Sequence, residues 1–377
     1  MTTRNTPPVP TPPRPGSPEF LAMIERHKDA IERETGTRPD FILDIGIGDQ
    51  PGYLASMERA EFVTQQLMAE HPPVLYDRNK RAVFDIACPA GCAHGGTLIY
   101  TRWRHMELPD TVTPADAVSR VDARDDVYDY APTEDATAVE WHMNFADPRL
   151  FVAYGSSLFA QDEMQVAEHP ALGALREALL ARGWSARTEE QGRCTPVLVR
   201  GVERRCRVAT DRNAAEGRAR GLYGSAFAAA PVDIVRRATT RIDPPTITNL
   251  IAIAAPFGHV GRYTPMQIDL ILETAYTGFR AAVIESDGAN AVVHTGFWGC
   301  GAFGGHRVLM AMLQVLAAEM AGVEQLVFHT FDSSGRGALD DALRRIRGDL
   351  PALATETSAL VQQIAAMGFN WGASNGT

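Results

Sequence analysis

The chain has 377 residues, 45% of them hydrophobic, and a formal net charge of −10. That is enough apolar mass for one large or two modest globular domains, and too little positive charge for a general grip on duplex nucleic acid. Its five cysteines, Cys88, Cys92, Cys194, Cys206 and Cys300, are odd in number and scattered, which suits a reducing, cytoplasmic compartment better than a disulfide framework.

Prolines at 7, 8, 10, 12, 13 and 15 and a near absence of apolar side chains predict a disordered tail over residues 1–17, because little burial offsets the entropy of ordering. From Pro18 the pattern changes. Phe20, Leu21, Ile24 and Ile31 recur at helical spacing, and residues 18–135 are expected to form an α-rich accessory region. No segment reaches the ~18 consecutive apolar residues of a membrane span, and the N-terminus has no apolar secretion signal, so no membrane partner is expected. Asp44-Ile45-Gly46-Ile47-Gly48-Asp49 contains a Gly-x-Gly but lacks the third glycine and following helix of a dinucleotide fingerprint. Cys88, Cys92 and His94 are ligand types that zinc prefers, yet no fourth ligand or second Cys pair stands at finger-like spacing. Pro89, Gly91, Gly95 and Gly96 make this segment a loop, and no metal or cofactor is expected.

The second half alternates short apolar runs with helical patterns. Strands are predicted at Val139–Met143, Pro196–Val199, Ile247–Ala254, Ala291–His294 and Gln325–Phe328, with helices over Met266–Ile284 and Arg307–Ala321 between the last three. This alternation predicts an α/β fold whose sheet is flanked by helices, with the ligand outside the carboxyl ends of the strands. After the strand ending at His294 comes Thr295-Gly296-Phe297-Trp298-Gly299-Cys300-Gly301-Ala302-Phe303-Gly304-Gly305, directly before a helix. Small residues there let a diphosphate approach backbone N–H groups, and the helix N-terminus adds partial positive charge. A plain tight turn would use the same glycines.

Trp298 to Gly305 closely resembles the diphosphate-binding segment of the poly(ADP-ribose) glycohydrolase family, where Asn usually stands at the position of Phe297 and Asp at that of His306. Other islands follow in the family's order. Phe145-Ala146-Asp147 is similar to its Phe-Ala-Asn, and Gln161-Asp162-Glu163 to its Gln-Glu-Glu at a helix start. Gly201-Val202-Glu203-Arg204 resembles a family turn, Ala275-Tyr276-Thr277-Gly278-Phe279 a helix end, and Phe328-His329-Thr330-Phe331-Asp332 a strand end. The resemblance spans about residues 139–335 and implies a macrodomain-like mixed sheet over 136–377.

It also implies a hydrolase that cuts the ribosyl bond of an ADP-ribose-containing substrate, free or attached to protein. Such cleavage passes through an oxocarbenium-like state, which needs an acid for the leaving oxygen and a base for water. By resemblance Glu163 does this work. Asp162 and Gln161 would hold the distal ribose, with Asp147 in place of the family's ribose-binding Asn and Phe331 at the same end. Gly299, Cys300, Gly301, Ala302, Phe303 and Gly304 would cradle the diphosphate. Apolar Leu158 and Phe159 would keep the acid partly protonated by desolvation. Tyr223 is the expected adenine-stacking residue, whereas Arg149, His169 and His306 are read as surface or packing residues.

Phe151-Val152-Ala153 falls where the family has three consecutive glycines. Either this loop is rebuilt, around Gly155-Ser156-Ser157, or the ligand differs, and Asp147 points the same way. A hydrolase of a small NAD-derived metabolite in specialised bacterial metabolism and a non-catalytic ADP-ribose-binding module therefore stand as alternatives.

Overall fold

The computed structural model describes residues 56–131, 135, 137–257 and 260–372. The expected tail at 1–17, the helical pattern from Pro18 and the Asp44–Asp49 loop lie outside them. Twelve strands follow in chain order: β1 (Ser56–Val63), β2 (Thr97–Trp103), β3 (Thr111–Val112), β4 (Val121–Arg124), β5 (Ala138–Ala146), β6 (Glu189–Glu190), β7 (Arg193–Cys194), β8 (Val197–Val208), β9 (Thr239–Ala254), β10 (Asn290–Thr295), β11 (Gln325–His329) and β12 (Thr355–Glu356). Eight form one mixed sheet in the order β1-β2-β8-β9-β5-β10-β11-β4. From β9 to β4 neighbouring strands run parallel, while β1, β2 and β8 complete the sheet antiparallel.

Alternation along the strands builds two cores, because successive side chains point to opposite faces. Trp141, Met143, Ile251, Ile253, Val293 and Phe328 face one core under the helices Pro265–Glu285 and Arg307–Ala321. Leu250 and Ala252, one residue out of phase, face the other with Leu98, Tyr100 and the helix Ala171–Ala181. The long helix starts at a Thr264/Gln267 capping box with Pro265 in its first turn. Gly278 lets it press on β9, since a Cβ there would meet Ile253 at 3.0 Å.

On the face of β5 away from the first core stands His142. It pairs in register with His294 of β10, and the two rings stack with centroids 4.2 Å apart. His294 Nδ1 lies 3.0 Å from His329 Nε2, and Tyr130 stacks on His142 at 4.6 Å. Burial holds the His142 pKa well below the usual imidazole range, so this ring packs neutral. The next residue on this face of β5 is Asn144, which points the row toward the carboxyl ends of the strands.

Residues expected to be an α-rich accessory region differ from that reading in their described part. Three helices, Thr64–Glu70, Arg78–Ala87 and Pro114–Ser119, alternate with β1, β2 and β4, which belong to the main sheet. The strands there carry charges among their apolar residues (Glu58, Arg59, Arg102, Arg124), which hid their alternation. Gly201-Val202-Glu203-Arg204 is a bulge within β8 and not a turn: Gly201 has φ +76° and its Cα approaches Thr97 so closely that a Cβ would lie 2.6 Å from the Thr97 carbonyl oxygen. Ala275–Phe279 lies inside the long helix, not at its end. Among the described residues no helix is long and apolar enough to cross a membrane.

Candidate active site

The site is assembled where parallel strands β5, β9 and β10 end. Beyond His142 and His294 the pairing of β5 with β10 stops, and the side chain of Gln161 takes over: its Oε1 accepts from Phe145 N–H at 2.7 Å and its Nε2 donates to the Met143 carbonyl at 2.9 Å. Both ends of the Gln161 amide thus fasten the helix Gln161–Glu168 to the end of β5.

This places Asp162 and Glu163 in the first turn of the helix, buried to 5% and 4% exposure. Asp162 Oδ1 accepts from Asn144 Nδ2 at 3.0 Å. Glu163 Oε2 accepts from Ala160 N–H at 3.0 Å, and its Oε1 has no hydrogen-bond partner among the described residues. Burial, then the neighbouring charge of Glu163, push the Asp162 carboxyl up to about 8, against the pull of Asn144 and Lys80. Phe159 supplies part of the apolar wall, fully buried and stacked on Phe227 at 3.8 Å.

Lys80 was missed entirely. It lies in the first turn of the helix Arg78–Ala87, whose start is capped by Asp77 accepting from the N–H groups of Asn79 and Lys80. Asn79 hooks this helix to the Phe227 and Ala230 carbonyls at 2.7 and 3.0 Å. Lys80 is 2% exposed, donates to the Tyr154 carbonyl at 2.7 Å, and lies over the Phe159 ring at 5.4 Å. Burial lowers its pKa to about 8, opposed first by the charge of Glu163 and then by Asp162. A lysine 82 positions before Asp162 carries no sequence signal of this encounter.

Tyr223 sits by the same acidic pair. Its hydroxyl meets the backbone N–H of Gln161, burial and the charge of Glu163 raise its pKa, and Gly224 N–H bonds the Phe159 carbonyl at 2.9 Å. At 44% exposure it has a free ring edge, at the acid end of the site. Another aromatic pair flanks the Gly-rich loop: Phe257, 49% exposed, stacks on Phe303 at 4.8 Å. Beside Phe257 a cleft of about 240 Å³ is lined by Ala254, Pro256, Thr188 and Glu189. Thr188 also donates to the Asp147 carbonyl.

The Gly-rich loop leaves β10 and enters the helix Arg307–Ala321. Gln314 holds its start, its Oε1 accepting from the Thr295 hydroxyl at 2.5 Å and its Nε2 donating to the Gly296 carbonyl at 3.0 Å. Trp298 Nε1 donates to the Ile253 carbonyl, tying the loop to β9. Gly299 has φ +73° and packs so tightly that a Cβ would stand 2.6 Å from that of Ala255. The N–H groups of Gly299, Gly301, Ala302 and Phe303 have no hydrogen-bond partner among the described residues, an open set of donors of the kind that receives phosphate oxygens. Burial pushes the Cys300 thiol up to about 12, so it is a small apolar filler there and not a nucleophile.

At 151–153, which the resemblance aligns with three glycines, the chain makes a tight turn. Phe151 keeps a glycine-like backbone, φ +51°, and turns its fully buried ring into the second core beside Leu150 and Tyr154. Gly155 anchors the loop: its carbonyl accepts from Tyr76 and Asp77 N–H, and a Cβ would meet the Val74 carbonyl at 2.2 Å. Asp147 Oδ1 accepts from Arg149 N–H at 2.8 Å, closing the turn after β5. Phe331 is 67% exposed at φ +67°, a costly backbone for an aromatic residue. It follows the carboxyl end of β11. His169 is a packing residue as expected, bonded to Gln165 and Thr248 with its pKa lowered to about 3 by burial. His306 caps its helix through Leu309 N–H.

Residues 221–336 match the family model described as poly(ADP-ribose) glycohydrolase, macro domain fold. Solved structures similar to the chain include the poly(ADP-ribose) glycohydrolase of Thermomonospora curvata, at 14% identity over 76% of this chain and 84% of that one, with a TM-score of 0.38. Another is the Deinococcus radiodurans enzyme in complex with ADP-ribose, at 16% identity over 62% and 88% of the two chains, with a TM-score of 0.37. The matched segment holds Tyr223, the whole Gly-rich loop and Phe331, while Lys80, Asp147 and the acidic pair precede it. From residue 221 to residue 336 the chain is thus similar to the poly(ADP-ribose) glycohydrolase family, a segment of macro domain fold.

Proposed function

We propose that the protein hydrolyses the ribosyl bond of an ADP-ribose-containing substrate. The observation that carries this reading is the pairing, at the ends of adjacent strands, of a loop with open N–H donors and a buried acidic pair in which burial raises the Asp162 carboxyl. The loop takes the diphosphate. The pair supplies the proton for the leaving oxygen, and the unengaged Oε1 of Glu163 faces the positive charge that develops on the ribose and then orients water. Lys80, charged below about pH 8, limits the build-up of negative charge in the pair.

Binding of ADP-ribose by calorimetry, together with release of ADP-ribose from polymer and from modified protein, tests the proposal. Glu163→Gln is expected to retain binding and to lose turnover by ~100-fold or more. Turnover unchanged in that variant, or no binding of ADP-ribose, would refute it; binding without turnover in the parent chain would make the protein a binding module. Asp147 favours a second reading, a small NAD-derived metabolite as substrate, because a carboxylate stands where the resemblance has an amide donor to ribose. Cleavage of free dinucleotides with no action on polymer would select it. A cytoplasmic setting, with no membrane or duplex nucleic acid as partner, accompanies both readings.

A further inference from the structure

At the far end of the Lys80 helix, the loop 88–94 brings together three ligand types. The Sγ atoms of Cys88 and Cys92 and a ring nitrogen of His94 all lie within 4.8 Å of one another, with Cys92 Sγ 3.7 Å from His94 Nε2. The other ring nitrogen, Nδ1, faces Glu203 Oε2 at 3.3 Å. Glu203 and Arg205 hold the ring by its Nδ1 edge and turn Nε2 toward the thiols.

The loop is held in shape from outside. Arg205 donates to the carbonyls of both Ala87 and Ala93, closing the two ends of the loop, and to Glu203 Oε2 at 2.5 Å. Its Nη1 also lies 3.3 Å from His94 Nδ1. Gly95 N–H bonds Glu203 Oε1 at 2.9 Å, Cys92 N–H bonds the Pro89 carbonyl, and His94 N–H bonds Gln65 Oε1. Glu203 and Arg205 neutralise each other, so two thiolates and a neutral imidazole would leave a charge that a divalent cation balances. The donor set is soft sulfur with one imidazole, the preference of zinc and not of magnesium or calcium.

We propose that Cys88, Cys92 and His94 bind one Zn²⁺, with the fourth tetrahedral position open to solvent and Glu203 as the positioning residue behind His94. Binding displaces the two thiol protons to solvent and changes no oxidation state. Cys88 is the C-cap of the helix Arg78–Ala87, so the ion pins the end of the element that carries Lys80 into the candidate active site. This site does not depend on the proposed activity.

The test is titration of the reduced full-length chain, stripped of metal, with Co²⁺ alone. Thiolate-to-cobalt charge-transfer and tetrahedral d–d absorption that saturate at one ion per chain, and vanish on adding Zn²⁺, are expected. Cys88→Ser and Cys92→Ser each abolish the charge-transfer band or sharply reduce it, and Glu203→Gln weakens the affinity about 10- to 100-fold with the stoichiometry unchanged. Should Cys88→Ser fail to fold, Cys92→Ser decides alone. Absence of the cobalt bands, the same bands in folded Cys92→Ser, or a Cys88–Cys92 disulfide whose reduction restores no cobalt binding would overturn the proposal.

Discussion

Replacing Asp162 by Asn keeps the side-chain shape and an oxygen to accept from Asn144, while removing a group that folding must hold protonated. The carboxyl rises from 3.8 to about 8 in the folded chain. A folded-state pKa above the unfolded one contributes stability that is complete below about pH 4 and is lost as the pH rises through about 8. A rise of this size corresponds to at most roughly 5 kcal/mol; part of it belongs to the interaction with Glu163, and relaxation and the loss of a partner for Lys80 further reduce what the amide recovers. Asp162→Asn is therefore expected to be more stable than the parent by on the order of 2–4 kcal/mol at pH 8 and by less than about 1 kcal/mol at pH 4.5. Urea unfolding of both proteins at the two pH values measures the difference of differences, in which titrating groups remote from Asp162, Glu163 and Lys80 cancel to first order. A stability difference that does not change with pH, or a variant less stable at pH 8, would show that Asp162 is not the group held neutral by burial.

Lys80→Met removes a cation that favours the ionised carboxyl, so the alkaline limb of turnover, expected near pH 8 in the parent, moves to higher pH; a pH–rate profile with an unmoved limb would separate Lys80 from the acidic pair. Gly299→Val forces a β-branched residue into φ +73° and against Ala255 at 2.6 Å, and is expected to lose ADP-ribose binding by calorimetry and to lower the melting temperature. Phe151→Gly relieves a left-handed aromatic residue but empties a fully buried ring site, so a net loss of about 2–4 kcal/mol is expected in chemical denaturation; a gain in stability would contradict the placement of that ring in the core.

The sequence alone determined the elements whose pattern is local. The parallel strands β5, β10 and β11 were legible from apolar runs, the helix Arg307–Ala321 from its period, and the Gly-rich loop between β10 and that helix from composition and resemblance. The position of Asp162 and Glu163 at a helix start was legible from the resemblance. The polar first half of β9, Thr239 to Thr246, was missed, since the antiparallel pairing with β8 that stabilises it lies outside any short window. What only the tertiary structure decided is which distant groups share one low-dielectric space. Lys80 against the acidic pair, Phe151 turned into the core, Tyr223 at the acid end, and His94 braced by Glu203 all join residues far apart in the chain. Periodicity reports which face of an element is buried; the identity of the charge or thiol across the gap is fixed only when the sheet has brought its strands together.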